Sequence, residues 1–328
     1  MTTLTHDTAR LLPSGGASRS QRIGLALALA SALTFGTSGS LAKGLMESGW
    51  SPAGAVTARV WIAAVVLAVP TVLSLRGRWC AVRRHARLIL AYGAIPVAGT
   101  QLAYFIAVSY MHVGLALLIE YCAPVLVLVW LWLRHGERPG VRTLVGAAVA
   151  GVGLLLVLDV FGGGGSHPLG IVFAMMAMVG AACYFVMSAH EPEGLPPIAL
   201  AGLGLLVGAI ALSIAGLVGV LDVQFSTADA TYSDTTVVWW LPVLALGVVS
   251  AAIAYVTGIA ASRRLGSRLA SFVALLEVVT ALVMAWLLLD ELPNWVQLAG
   301  GVLILAGVVV VKLAEEPAVD LPPTVEPV

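Results

Sequence analysis

Ten stretches of about 20 residues, nearly all apolar, follow one another along this chain of 328 residues. A helix needs roughly that length to cross about 30 Å of hydrocarbon, and inside lipid only helices and closed barrels satisfy their own backbone groups. The stretches cover residues 23–44, 52–75, 88–109, 113–133, 141–160, 170–188, 197–220, 237–260, 267–289 and 296–313. With 60% hydrophobic and 10% charged residues, the composition excludes an ordinary soluble domain, which is roughly a quarter charged. An all-α integral membrane protein with ten transmembrane helices is the fold class expected.

The basic residues sort by loop. With the N-terminus placed inside, the cytoplasmic segments collect Arg10, Arg19 and Arg22, then Arg76, Arg78, Arg83, Arg84 and Arg87, then Arg134, Arg138 and Arg142, then Arg263, Arg264 and Arg268, and finally Lys312. Only Lys43, near the outer end of the first span, and Arg59, inside the second, escape the positive-inside pattern. Both termini are therefore expected in the cytoplasm of a multi-pass protein of the cell membrane, which requires an even number of spans. Trp50, Trp239, Trp240 and Trp295 fall at expected outer helix ends and Trp79 and Trp132 at inner ones, the places where indole rings anchor at the interface. Residues 1–22 and 314–328 read as disordered cytoplasmic tails. Three cysteines offer no disulfide framework, and no Cys/His metal spacing occurs.

A second pattern lies beneath the first. Residues 115–153 laid on 269–307, an offset of 154, give twelve identities in 39 positions, among them Trp132 on Trp286, Glu137 on Glu291, Pro139 on Pro293, Gly146 on Gly300 and Gly153 on Gly307. The chain thus divides into a five-helix repeat at 23–160, a glycine-rich outer linker at 161–169 and a second five-helix repeat at 170–313. Five is odd, so the second half enters the membrane in the opposite sense, and the two form an inverted repeat. Such a repeat supports alternating access around a midplane site.

The stretch from the fourth to the fifth span and its copy from the ninth to the tenth resemble the EamA-type modules of the drug/metabolite transporter superfamily. The resemblance rests on Ala123-Pro124, an apolar run and Gly136-Glu137-Arg138-Pro139, matched by Leu276-Glu277, the run to Trp286 and Asp290-Glu291-Leu292-Pro293. It implies ten helices in two repeats and transport of small metabolites, often efflux. Two positions depart from the family pattern. Val278 stands where a proline often follows the acid, and Phe35-Gly36 stands where a Trp-Gly pair is common.

A charged side chain near the bilayer centre costs about 2.5–3.5 kcal/mol on insertion scales, so each one needs a reason. Glu120 lies in the fourth span, Glu277 in the ninth and Arg59 in the second. At the repeat offset Glu120 corresponds to Ala274 and Glu277 to Ala123, three residues apart in each helix, so both acids are expected on the equivalent face of two repeat-related helices, the candidate lining of a central cavity. Each acid reads either as a group for substrate amines or proton coupling, or as a permanently neutral carboxylic acid bonded to a neighbouring helix. Arg59 reads equally as an anion site or as a structural partner of these acids or of helix-end carbonyls. Gln101, Tyr104 and Tyr110 on the third span, Tyr121 on the fourth, Tyr184 on the sixth and Tyr255 on the eighth are the uncharged candidates, and each Tyr alternatively serves in packing. Pro70, Pro96 and Pro242 lie in or near spans, as gating bends or static kinks.

Gly146 with Gly153, and Gly300 with Gly307, lie seven residues apart on single helix faces and mark the fifth and tenth helices as scaffold, or as the contact of a homodimer. Glu137 and Glu291 sit at helix ends, where capping or pairing is expected. No catalytic constellation, nucleotide-binding motif or cofactor motif occurs. The expectation is therefore a secondary transporter, an exporter of a small metabolite or amino-acid-like compound, without cofactor, metal or nucleic-acid partner. A membrane-embedded enzyme lacks its catalytic residues, and a passive channel lacks a polar pore-lining stripe.

Overall fold

A computed structural model describes residues 15–123, 125–126, 133, 140–157, 167–189 and 194–314. Pro124, Trp132, Glu137, Pro139, Gly162–Gly165 and most of both tails lie outside the described residues. The helices are α1 (Gly15–Gly36), α2 (Ser38–Glu47), α3 (Pro52–Ser74), α4 (Trp79–Arg84), α5 (Ala86–Tyr92), a π-helix Gly93–Gly99, α6 (Thr100–Tyr110), α7 (Val113–Glu120), α8 (Val141–Val157), α9 (Pro168–Ala189), α10 (Pro197–Leu217), α11 (Trp240–Leu244), a π-helix Ala245–Ile253, α12 (Ala254–Ala274), α13 (Leu276–Leu289) and α14 (Trp295–Ala314). These elements carry the expected spans, except that residues 124 and 127–132 of the fourth and 158–160 of the fifth lie outside the described residues. Residues Ser20–Glu47, Pro52–Ser74, Ala86–Tyr110, Ile198–Leu217 and Trp240–Gly258 are each long and apolar enough to cross a membrane.

Local chemistry explains several boundaries. The second span opens at Pro52, behind Ser51, whose hydroxyl accepts the Gly54 N–H at 3.0 Å; proline at the first helical position loses no bond the helix needs. The first span is divided at Thr37, a turn residue that keeps helical dihedrals. The third and eighth spans each contain a π-helical segment, and Gly93–Gly99 shifted by 154 falls inside Ala245–Ile253.

Packing follows the repeat with one consistent twist: the main partner of each span lies in the other half. The first span packs on the eighth, the second on the seventh, the third on the sixth and the fifth along the tenth, while the described part of the fourth lies chiefly on the sixth and the ninth chiefly on the first. Exchanging the halves maps first–eighth onto third–sixth and fourth–sixth onto first–ninth, and maps the other two pairings onto themselves, as a pseudo-twofold axis requires. The two repeats are therefore interleaved, and each packs its helices chiefly against the other.

The fifth and tenth helices show why glycine is needed. A Cβ on Gly153 would lie 2.6 Å from the Gly300 carbonyl oxygen, and one on Gly307 would lie 2.5 Å from the Gly146 carbonyl oxygen. Gly146 thus meets the repeat mate of Gly153, and Gly153 meets the repeat mate of Gly146. The glycine faces expected to serve as scaffold or dimer contact are buried against each other within one chain. Only the opposite faces, with Val145, Val152 and Val302 exposed, remain for lipid or a second copy.

Other expectations need correction. The first helix begins at Gly15, so residues 15–22 are helical and not part of a disordered tail. The inner loop expected around Arg263 and Arg264 is helical, because α12 continues through it to Ala274. Trp50 is not an interface anchor; it is buried, with Phe225 edge-on at 5.2 Å and Trp239 at 6.5 Å. Trp79, Trp240 and Trp295 are exposed as anchors should be. The loop 221–236 contains an antiparallel hairpin, β1 (Ala230–Tyr232) with β2 (Thr235–Val237), in which Thr231 faces Thr236. Its two-residue turn places Ser233 at φ 47°.

The glycine contact yields the first prediction. Gly153→Val forces the fifth and tenth helices apart at a cost of about 1–3 kcal/mol. The midpoint of thermal unfolding in detergent is expected to fall by several degrees, whereas Val152→Ala, on the exposed face, leaves it nearly unchanged.

Candidate functional site

Among the described residues a turn interrupts the first span at Thr37 and also the fourth and ninth spans, and the last two are repeat mates. The fourth stops as α7 at Glu120 and turns through Tyr121 and Cys122, while the ninth begins as α13 only after the turn at Leu275. Tyr121 shifted by 154 is Leu275, so the breaks coincide in the repeat. Glu120 is the last residue of α7 and Glu277 the second of α13. The three-residue spacing that placed both acids on equivalent faces spans the turn in each helix, where Tyr121 and Leu275 keep right-handed helical dihedrals. What brings the two breaks together is one hydroxyl. Tyr121 Oη lies 2.9 Å from Glu277 Oε2 and 3.0 Å from the carbonyl oxygen of Ala274, the repeat mate of Glu120.

A phenol has one proton to give. When Glu277 is ionised, Tyr121 can donate to the carboxylate, and the Ala274 carbonyl then goes without it. When Glu277 is protonated, its own O–H can donate to the Tyr121 oxygen, freeing the phenol proton for Ala274. The geometry thus couples the protonation of one acid to the hydrogen bonding of a helix break. The acids also sit at opposite helix poles. Glu277 occupies the first turn of α13, where the helix dipole favours an anion, and Glu120 occupies the end of α7, where it favours a cation. Among the described residues Glu120 has no hydrogen-bond or ion-pair partner.

Arg59, in the middle of α3, is only 3% exposed. Its Nη1 donates to Gln101 Oε1 at 2.6 Å and its Nη2 to the Ser250 carbonyl oxygen at 2.9 Å, while the guanidinium carbon lies 5.5 Å from the centre of the Phe105 ring. The π-helical segments position both acceptors, since Ser250 lies within Ala245–Ile253 and Gln101 follows Gly93–Gly99. No carboxylate reaches Arg59 to form an ion pair among the described residues, although it feels the charges of Glu120 and Glu277. A buried cation held only by neutral acceptors is costly and is normally paired.

The remaining candidates divide. Tyr104 is buried beside Phe105, its ring centre 6.0 Å away, and Tyr255 packs edge-on to Phe35 at 5.2 Å; both lie in the electrostatic neighbourhood of Arg59. Tyr110 instead stacks on His167 at 4.9 Å. Tyr184 packs near Tyr92 at 5.9 Å. The Ser250 carbonyl and the Phe105 ring escaped the sequence reading. Phe105 could have been found, as it lies one turn after Gln101 on the same face; a backbone acceptor leaves no trace in residue type. No group of three or more potential metal ligands occurs among the described residues. A groove of about 440 Å³ beside the hairpin, lined by Leu41, Tyr232, Leu241, Pro242 and Leu287, includes none of the three membrane-embedded charges.

Two interleaved halves of opposite insertion, meeting at paired helix breaks that carry isolated charges, define a membrane transporter of the inverted-repeat class. The chain belongs to the EamA-like transporter family, whose model matches residues 22–159 and 168–313, and that is a family of transporters, not of enzymes. A protein of Archaeoglobus fulgidus described only as an uncharacterized transporter is 28% identical over 211 residues, which make up 64% of this chain and 71% of that protein. A solved structure described as "Crystal structure of protein" is similar with a TM-score of 0.56 and 22% identity over 90% of this chain and 97% of that one, a likeness of fold.

Arg59 supplies the second prediction. Gln101→Leu removes its only side-chain acceptor among the described residues and is expected to destabilise by about 1.5–3 kcal/mol, the range for hydrogen bonds to charged groups. Gln101→Glu supplies the missing counter-ion and is expected to lose much less, as read by thermal unfolding in detergent.

Proposed function

We propose that this transporter is a secondary exporter of a small metabolite or amino-acid-like compound, working by alternating access around a midplane cavity between the two breaks. The observation that carries the reading is the pair of unmatched charges. Among the described residues Arg59 has no carboxylate partner and Glu120 no cationic one, yet both lie in membrane-spanning helices within electrostatic range of each other. A ligand carrying an ammonium and an anionic group would supply both missing partners. Glu120, at the end of α7, takes the ammonium, and Arg59 takes the anion in its planar fork. Gln101 holds the guanidinium, while Tyr104 and Tyr255 line the space around it.

Glu277 and Tyr121 take the coupling role. A proton on Glu277 changes which acceptor Tyr121 serves, so proton binding and the geometry of the ninth-helix break move together. The two repeats, 23–160 and 170–313, with the linker at 161–169 between them, are the moving units in this reading. Both termini are placed in the cytoplasm of the cell membrane, as the arginine-rich segments require under the positive-inside rule. A homodimer through the fifth and tenth helices would have to use their exposed faces.

The test is transport by purified protein in liposomes with an imposed pH gradient, screened over small amines, amino acids and carboxylates. Glu120→Gln is expected to raise the KM for an ammonium-bearing substrate at least tenfold, and Glu277→Gln to abolish the pH dependence. Wild-type rate and pH dependence in both variants would refute the reading. Arg59→Met separates function from fold. If the arginine serves substrate, its removal relieves a desolvated charge, so thermal stability changes by less than about 1 kcal/mol while substrate-induced stabilisation disappears. A large loss of stability would assign Arg59 to structure.

A further inference from the structure

Lys43 and Glu291 remain outside the site just described, and each carries a charge with a partner. Lys43, in α2, forms an ion pair with Glu291, which follows α13, and also donates to the Met111 carbonyl oxygen at 3.1 Å. The second Glu291 oxygen accepts the Val113 N–H, the first of α7, at 3.0 Å. One carboxylate of the second half therefore holds two elements of the first, the end of its first span and the start of its fourth. Both side chains are largely shielded, 16% and 11% exposed, which strengthens such a pair relative to a surface bridge.

Two further contacts close the same end. Gly114 of α7 stands against the side chain of Leu282 in α13, and Gly39 of α2 against Val113 and the Tyr104 hydroxyl, so closely that a Cβ at either glycine would collide. The hairpin then covers α2. The Tyr232 ring lies on Gly44, and its hydroxyl donates to the Leu41 carbonyl oxygen at 2.9 Å. Burial, aided by Glu47, pushes the Tyr232 hydroxyl well above the usual phenol range, so it stays a donor. Beneath the ion pair, one helical turn deeper on the same face of α2, the Ser40 hydroxyl is fully buried without a hydrogen-bond partner among the described residues.

We infer that Lys43 and Glu291 are the latch of an outer gate: they join the two halves at the hairpin end, the glycine contacts let the helices close beneath them, and the pair must separate for the site to open outward. This rests on the alternating-access reading with that end outside, but it invokes neither Glu120 nor Glu277. It predicts that breaking the latch opens the outer end without substrate.

The experiment uses Ser40→Cys in full-length protein whose native cysteines, Cys80, Cys122 and Cys183, are replaced by serine. Reaction with a membrane-impermeant thiol reagent is followed from each face of oriented vesicles. Slow labelling from outside is expected in this parent. Lys43→Ala is expected to accelerate it about tenfold or more, as loss of a charge-assisted bond implies, and Lys43→Arg to leave it slow. Gly114→Ala, which acts by volume and not charge, is expected to accelerate it likewise. Labelling at the parent rate in both Lys43→Ala and Gly114→Ala would overturn the inference, and so would acceleration equal from both faces, which marks general loosening. Because labelling needs no substrate, normal transport by the Glu120 and Glu277 variants would sink the proposed site and leave the gate standing.

Discussion

A break in a membrane-embedded helix frees backbone groups that lipid cannot satisfy, and the architecture of this protein turns on where those breaks are hidden. The fourth and ninth spans both break, at Tyr121–Cys122 and at Leu275, and the Tyr121 hydroxyl crosses from the first break to the Ala274 carbonyl and Glu277 carboxyl of the second. The breaks are tolerable because each is covered by the other half of the chain. The same constraint places the acids, since Glu120 and Glu277 adjoin the breaks and so occupy the protein-lined part of the bilayer.

Interleaving supplies that cover. The main partner of each span belongs to the other repeat, and the fifth and tenth helices cross at Gly146, Gly153, Gly300 and Gly307 with almost no side chain between them. Without a hydrophobic drive between helices in lipid, such close backbone approach is a main source of cohesion. The same pairing lets the π-helical segments of the third and eighth spans face one buried arginine from two sides, with Gln101 from one and the Ser250 carbonyl from the other. Symmetry brings the backbone into register, and the side chains then depart from it. Arg59 and the two acids have no charged repeat mates, and that asymmetry is what a site for an asymmetric ligand requires.

Much of this was legible in the sequence. Apolar length and the five-span count gave the helices and their opposed insertion, and the repeat offset singled out the glycines and the acids. What escaped has physical causes. The helix turns at Tyr121–Cys122 and Leu275 fall inside unbroken apolar runs, because Tyr, Cys and Leu carry no turn signal. Glu291 was rightly expected to pair at a helix end, but its partner Lys43 lies 248 residues away and only the fold brings them together. Interleaving was invisible too, since a repeat in sequence does not say whether its copies pack side by side or through each other. The hairpin at 230–237 hid in a polar loop whose three-residue strands are too short for alternation to register.

The central claim is that Tyr121 joins the two breaks into one site through Glu277. A double-mutant cycle on Tyr121→Phe and Glu277→Gln, read by equilibrium unfolding in detergent, measures that bond directly. The account predicts an interaction energy of about 1–2 kcal/mol, so that the double variant loses clearly less than the sum of the single ones. Losses that simply add would show that the two residues act independently, and that the breaks are neighbours without being one site.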